Sequence, residues 1–262
     1  MARDFIGVEW GDRVPPVCAD VVHRLVAYFM EPVLRDEESD RRIRLFAQNG
    51  RQMETWFCGE IMYLLEQIKL EQIGRERALS KWWTEVRYGW QKPKKRKTCD
   101  IVLKITNGRG RKPTLAGIEL KVGFAGRQRS RTLIPVPPYV RNGPLSQRFG
   151  LEDLLGKLDD GGVLSDAARL ARSVDLKERV CLVFCYGSKI SDRDVKAFLR
   201  ELNRLGAQLQ GDWVPFKADI LPTCQFPCNI DGGFWLRTIP ILIQPDRAGK
   251  RASSSPSTTK GK

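Results

Sequence analysis

The spacing of apolar side chains in the first part of the chain predicts helices within residues 17–49 and over residues 52–73. On a helical wheel, one face of the second helix gathers the apolar residues Met53, Trp56, Phe57, Leu64 and Ile68. Glu60 lies in the middle of this face, where a charge without a partner is costly. We therefore expect a cation beside Glu60, either a basic side chain or a metal ion.

The pattern then changes to runs rich in aromatic, β-branched and other apolar residues. These runs predict three strands, at residues 81–90, 99–106 and 114–124. A basic connection joins the first two strands, and a loop that begins with Asn-Gly joins the last two. Connections this short join antiparallel neighbours, so the three strands should form a meander.

Two acids stand alone in the basic stretch that these strands span. Between residues 87 and 131 the chain has fourteen Lys or Arg but only two acids, Asp100 and Glu119. The meander places these two on adjacent strands. Side chains two positions apart on a strand share a face, so Lys121 should project beside Glu119. Two carboxylates and a lysine that converge on a basic surface predict a metal site that acts on phosphodiesters.

The rest of the chain predicts a loop, three helices and two strands. Residues 123–150, rich in Gly and Pro, predict a long, mobile, basic loop. Ser191 is the expected N-cap of the last helix, with Asp194 at the capping-box position. The other patterns predict helices at 151–158 and 166–172, an end near 205 for the capped helix, and strands at 180–186 and 234–244.

We expect a single domain over residues 1–246, followed by a disordered basic tail over 247–262. The formal net charge of +14 on 262 residues favours a polyanionic partner, either nucleic acid or an anionic membrane surface. The chain shows neither an apolar run long enough to span a bilayer nor the core of a signal peptide. We therefore expect a soluble, cytoplasmic protein, with nucleic acid as the favoured polyanion.

The cysteine and histidine residues argue against several kinds of catalytic and metal site. The seven cysteines stand mostly in apolar runs, and the spacing of their close pairs differs from that of zinc knuckles. This pattern predicts reduced, buried thiols; a structural metal or cluster is the alternative. His23 is the only histidine, which argues against a Ser-His-Asp triad or a His-rich metal site.

Phosphodiester hydrolysis at neutral pH needs an activated water and stabilisation of charge on the phosphate and the leaving oxygen. Mg²⁺ supplies both and is held by hard oxygen ligands. Asp100 and Glu119 are suitable ligands, and the backbone carbonyl of Leu120 is a candidate third. Lys121 could position or deprotonate the attacking water, or stabilise charge in the transition state. Glu60 could add a further contact if its helix packs against the meander.

This order of elements resembles the PD-(D/E)XK nuclease superfamily, over about residues 50–205. The resemblance implies an α/β fold of the restriction-endonuclease type, with a central mixed four-stranded sheet flanked by helices. It implies that Asp100 and Glu119 bind the metal, that Lys121 is the catalytic lysine, and that Glu60 is the extra acid many members carry on the preceding helix. Cys99 stands before Asp100, where the motif has proline.

A further implication of the resemblance is that Asp153 and Lys157 occupy positions that are often polar and near the site. The function it implies is a DNA endonuclease that uses Mg²⁺, or Mn²⁺, and no small-molecule cofactor. A type II restriction enzyme is the most natural member at this size, and a homodimer would suit cleavage of both strands. A repair, recombination, transposition or phage-related nuclease is the alternative within the family.

Basic loops around the site are expected to contact the DNA backbone, which positions the duplex without reading its sequence. The residues assigned to this contact are Lys94, Lys95, Arg96, Lys97, Arg109, Arg111, Lys112, Arg127, Arg129 and Arg131. Other interpretations of the same residues stay open. Glu119 and Lys121 could form a solvated strand face, with Asp100 a turn residue. Glu60 could be a structural acid paired to an arginine such as Arg87. The protein would then be a non-catalytic binder of nucleic acid or, less in keeping with the pattern, an RNA-associated basic protein.

Overall fold

A computed structural model describes residues 17–30, 37–38, 41–42, 53–89, 97–108, 110–127, 148–158, 161–221, 223–227 and 235–246. The fold is α/β, with a mixed sheet that has helices on both of its faces. The main helices are α1 (Ala19–Met30), α2 (Met53–Glu71), α3 (Val163–Arg172) and α4 (Asp192–Ala207). The strands are β1 (Arg77–Arg87), β2 (Thr98–Asn107), β3 (Thr114–Arg127), β4 (Arg148–Phe149), β5 (Glu178–Gly187), β6 (Phe216–Ile220), β7 (Cys224–Pro227) and β8 (Trp235–Pro245).

The sheet has the strand order β1-β2-β3-β5-β8-β6. The first three strands pair antiparallel, which confirms the predicted meander. β5 then pairs parallel with β3, and β8 pairs antiparallel with both β5 and β6. Two short strands lie off this path, β4 against the end of β3 and β7 against β8. The sheet is therefore wider than the four strands expected from the resemblance.

Alternate side chains of the central strands point to opposite faces of the sheet. On one face, Ile118 and Leu120 of β3 join a core covered by α1 and α2. At its centre the rings of Phe57 and Phe184 stack with their centroids 4.1 Å apart, and Phe29 meets Phe184 edge-on at 5.1 Å. The other face packs against α3 and α4. Glu119, between Ile118 and Leu120, belongs to this second face.

The helix caps show how local sequence sets the boundaries. Ser191 accepts a hydrogen bond from the Asp194 amide at 3.2 Å, and the Asp194 carboxylate accepts one from the Ser191 amide at 3.1 Å. This pair confirms the predicted capping box at the start of α4. The prediction of a helix over 151–158 is wrong, because only a 3₁₀ turn forms, at Leu151–Leu154. Gly156 has φ of 61°, and this left-handed conformation ends the helical path.

A contact distant in sequence fixes the start of α1. The Glu178 carboxylate, at the first residue of β5, accepts hydrogen bonds from the backbone amides of Val17 and Cys18. Val17 and Cys18 directly precede α1, at the end of the helix where backbone amides have no acceptor within the helix. The contact attaches the N-terminal helix to the central sheet.

The cysteines, the strands of the second half of the chain and the predicted loop and tail remain. Five cysteines, Cys18, Cys58, Cys99, Cys181 and Cys185, are free thiols, and all of these but Cys58 are buried, which confirms the predicted reduced thiols at these positions. The strands β6 and β7 were not predicted. Within the described part of the chain, no helix combines the length and apolar character needed to cross a membrane. Most of the predicted loop, at 128–147, and the basic tail, at 247–262, lie outside the described residues.

Candidate functional site

The candidate site lies where β2 and β3 separate. Backbone pairing between these strands extends as far as Ile101 opposite Ile118. Asp100 and Glu119 are the next residues on the two strands. The Asp100 Oδ2 atom accepts a hydrogen bond from the Leu120 amide at 2.7 Å. The structure thus brings the two predicted acids together, with the Asp100 carboxylate bound to the backbone of the neighbouring strand.

Glu119 is a buried carboxylate with only 3% of its surface exposed. Its Oε1 atom accepts a hydrogen bond from the Tyr88 hydroxyl and lies 3.9 Å from Nε of Arg169. Burial raises the pKa of Glu119, and the negative charges of Asp100 and Asp166 raise it further. Burial and the charge of Glu119 likewise raise the pKa of Tyr88, so this hydroxyl remains a proton donor.

Helix α3 adds an acid and a base to the same site. Nζ of Lys121 lies 3.5 Å from Oδ2 of Asp166. Asp166 is 2% exposed, and its Oδ1 atom is bound by the Arg169 guanidinium. Arg169 also donates to the Ser165 hydroxyl at 2.8 Å. Burial raises the pKa of Asp166, although the neighbouring Lys121 and Arg169 oppose this shift. The result is a continuous chain of charges from Lys121 through Asp166 and Arg169 to Glu119.

Three members of this site, Tyr88, Asp166 and Arg169, were missed by sequence reasoning. For α3 a signal exists: Asp166 and Arg169 are three positions apart on a helix whose other residues are mostly Ala, Leu and Val. An acid and a base at this spacing share a helix face, and an apolar helix makes that face a buried one. Tyr88 follows the last residue of β1, and the sequence offers no comparable signal for it.

The oxygen donors suit a hard divalent cation. Tyr88 and Arg169 both approach Oε1 of Glu119, and within the described part of the chain Oε2 has no protein partner. This leaves Oε2, together with the Asp100 carboxylate, for another ligand. Two carboxylates are the usual protein contribution to a Mg²⁺ site, the rest being water and substrate phosphate. The described residues contain no group of three or more His, Cys, Asp or Glu side chains arranged as a metal site.

Glu60 is not brought to this group. Its carboxylate lies 3.7 Å from Nε of Arg42 and 3.5 Å from the Tyr28 hydroxyl. Helix α2, which carries Glu60, covers the face of the sheet opposite to Glu119. The environment of Glu60 matches that of a structural acid paired to an arginine, with Arg42 rather than Arg87 as the cation.

The other polar candidates whose side chains the structure describes lie on the surface. Asp153 is exposed and accepts a hydrogen bond from the Gly150 amide at 2.7 Å, and Lys157 is exposed as well. Of the predicted nucleic-acid contacts, Lys97, Arg111 and Lys112 are exposed on the connections that flank β2, and Arg127 ends β3. Outside the described residues lie Lys94, Lys95, Arg96, Arg109, Arg129 and Arg131.

No protein-family model, curated protein or solved structure matches this chain.

The raised carboxyl pKa values predict that the metal-free protein loses stability as the pH rises. A carboxyl group with a higher pKa in the folded chain contributes stability below its unfolded pKa, about 4. That contribution is lost as the pH rises toward the folded pKa. Glu119→Gln removes one such group, so we expect a smaller decline in Tm between about pH 4 and pH 8.

Thermal unfolding in EDTA across this pH range measures the effect. The exposed Glu76 provides a control, because Glu76→Gln should keep the wild-type decline. An unchanged decline in Glu119→Gln would contradict the prediction.

Proposed function

We propose that this protein is a Mg²⁺-dependent nuclease that hydrolyses phosphodiester bonds in DNA. One observation carries the proposal: the carboxylates of Asp100 and Glu119 meet where β2 and β3 separate, with the Lys121 ammonium held beside them by Asp166. The order of elements supports the proposal as well. Helix α2, the meander of β1, β2 and β3, helix α3 and strand β5 follow one another as the PD-(D/E)XK resemblance implies. The proposal takes this core to be of the restriction-endonuclease type.

In this proposal Asp100 and Glu119 hold the metal, together with the Leu120 carbonyl. The bound Mg²⁺, or Mn²⁺ in its place, supplies a Lewis acid for the phosphate and lowers the pKa of a water molecule. The hydrogen bond from the Leu120 amide fixes the orientation of the Asp100 carboxylate. The Tyr88 hydroxyl does the same for Glu119 by donating a hydrogen bond to Oε1.

Lys121 acts on the water or on the phosphate. Its ammonium lies 3.5 Å from Oδ2 of Asp166, on the face of the sheet that carries Glu119. As an ammonium, Lys121 would donate a hydrogen bond that orients the attacking water, or one that stabilises the charge developing on the phosphate. To deprotonate the water it would first have to lose its own proton, and the contact with Asp166 favours the protonated form. Both roles require the ammonium to be placed before the substrate arrives, and the contact with Asp166 provides that placement.

The substrate class follows from charge. The chain carries a formal net charge of +14, and the exposed Lys97, Arg111 and Lys112 flank the strand that bears Asp100. Contacts from these residues to phosphates would hold a duplex across the site without specifying a sequence. A homodimer would allow both strands to be cut, as in a type II restriction enzyme.

A second candidate function is supported by the ion pairs themselves. Lys121 and Arg169 neutralise Asp166, and Arg169 also approaches Glu119, so the acids have cations without any metal. Buried acids with such partners are common as structural elements. In that case the protein binds nucleic acid through its basic surface and does not cut it.

Incubation of the purified protein with long duplex DNA, in Mg²⁺ or in EDTA, separates the two candidates. A nuclease cuts the DNA only with Mg²⁺. Lys121→Ala should lower the cleavage rate by roughly 10²–10⁴-fold, the usual contribution of a positioned acid or base, and leave DNA binding intact. The exposed Lys217, on β6, gives the matched control Lys217→Ala, which should cut at the wild-type rate. Bound but intact DNA in every reaction would favour the non-catalytic binder.

A further inference from the structure

Arg169 is a cation built into the candidate metal site. The residue is 9% exposed, and its guanidinium binds Asp166 and donates to the Ser165 hydroxyl at 2.8 Å. Its Nε atom lies 3.9 Å from Oε1 of Glu119, close enough for an ion pair but too far for a hydrogen bond. This Nε is also buried without a hydrogen-bond acceptor among the described residues. A buried donor this close to a buried carboxylate can form a hydrogen bond with Glu119 after a small movement of either side chain.

We propose that Arg169 is a resident counter-cation that competes with the divalent metal for Glu119 and thereby sets the metal affinity. The inference rests on the proposed function, since it assigns Glu119 to the metal. In the absence of metal, Arg169 binds Asp166 and lies beside Glu119, so it holds both side chains in place. Arg169 is therefore a positioning residue, which acts on the reaction through the ligands it holds.

The carboxylates of the site repel one another. Asp100, Glu119 and Asp166 lie close enough for their charges to oppose one another, and two of them are buried. A nearby cation offsets this repulsion, as a metal ion would. When a divalent ion binds Glu119, it gains a positive neighbour in Arg169, and the repulsion between the two cations weakens its binding.

The position of Lys121 makes the effect specific to Glu119. Lys121 approaches Oδ2 of Asp166, and Arg169 binds Oδ1. If Arg169 is removed, Asp166 still has Lys121 as a cation, whereas Glu119 loses the guanidinium 3.9 Å from its Oε1 atom. Removal of Arg169 should therefore change the affinity of Glu119 for the metal more than it changes the ion pair at Asp166.

Isothermal titration calorimetry, in which Mn²⁺ is added to the metal-free protein, tests this inference. Arg169→Met removes the charge but keeps a long side chain. We expect this variant to bind Mn²⁺ roughly tenfold more tightly, because a cation at this distance commonly shifts the pKa of a carboxyl group by about one unit or more. Without metal its Tm should fall, and saturating Mn²⁺ should raise Tm by more than in the wild type. Arg169→Lys retains the charge and should keep an affinity near the wild-type value.

Arg172→Met is the matched control, on the same helix. Arg172 lies 5.9 Å from the ring centroid of Trp213, and its replacement should leave the Mn²⁺ affinity unchanged. Arg169→Gln provides a second neutral variant that can still donate to Ser165, and it should show the same gain if Arg169→Met does not fold.

Equal or weaker Mn²⁺ binding in the folded neutral variants overturns the inference. If wild-type cleavage still requires metal, the proposed function survives that result. If the wild type and every variant neither bind Mn²⁺ nor cut DNA, the proposed function and this inference both fail.

Discussion

Asp100→Asn is expected to lower Mg²⁺-dependent DNA cleavage by about a thousandfold or more, because a metal that stabilises the transition state by several kcal/mol loses a charged ligand. The substitution keeps the size and shape of the side chain. The asparagine side-chain oxygen can still accept the hydrogen bond that the Leu120 amide donates to Asp100. The strand junction should therefore stay folded, so that the loss reports on the missing charge.

Initial rates of plasmid cleavage, at several Mg²⁺ concentrations, measure this effect. DNA binding in EDTA should be equal to that of the wild type, since the basic surface is untouched. Asp212→Asn is the matched control, because Asp212 is exposed in the turn before β6. A cleavage rate within a few-fold of wild type in Asp100→Asn would remove this residue from the metal site and the proposed mechanism with it.

Phe184→Ala is expected to lower the free energy of unfolding by about 3–5 kcal/mol, the usual cost of emptying a buried aromatic site. The ring is fully buried on β5 and stacks on Phe57 of α2 at 4.1 Å. It also meets Phe29 of α1 edge-on. One side chain thus joins both helices of this face to the central sheet, and its removal leaves a cavity beneath both.

Urea unfolding followed by circular dichroism measures this loss. Val174→Ala serves as the control, because Val174 is 66% exposed and its substitution should change the free energy of unfolding by no more than about 0.5 kcal/mol. Phe184→Leu should fall between the two, since it fills part of the site. A loss below about 1 kcal/mol in Phe184→Ala would show that the helices pack on the sheet without this ring.

The elements that position the site were predictable because their signals are local. Strand runs and an Asn-Gly turn predict the meander, and the meander alone places Asp100 beside Glu119. The capping box at Ser191 is likewise contained within four residues. The strands β6 and β7 are short, with five and four residues, and too few positions alternate to give a clear strand pattern.

The partners of the acids could not be predicted, because tertiary packing selects them. Arg42 reaches Glu60 from another segment of the chain, while Arg87, the cation suggested in the sequence, ends β1 and is exposed. Arg169 reaches Glu119 only because α3 crosses the face of β3 that carries it. Periodicity identifies which face of a helix is buried, but it does not identify the strand residue that this face will meet.

The attachment of α1 to Glu178 has a consequence for synthesis of the protein. The Cys18 amide and its acceptor are 160 positions apart, so at ribosomal rates of about 5–20 residues per second the helix emerges roughly 10–30 s before its anchor. During this interval β7 and β8, the strands that α1 contacts most, have not yet been made. The N-terminal helix must therefore dock late, and a nascent chain that stops before β5 leaves it exposed to chaperones and proteases.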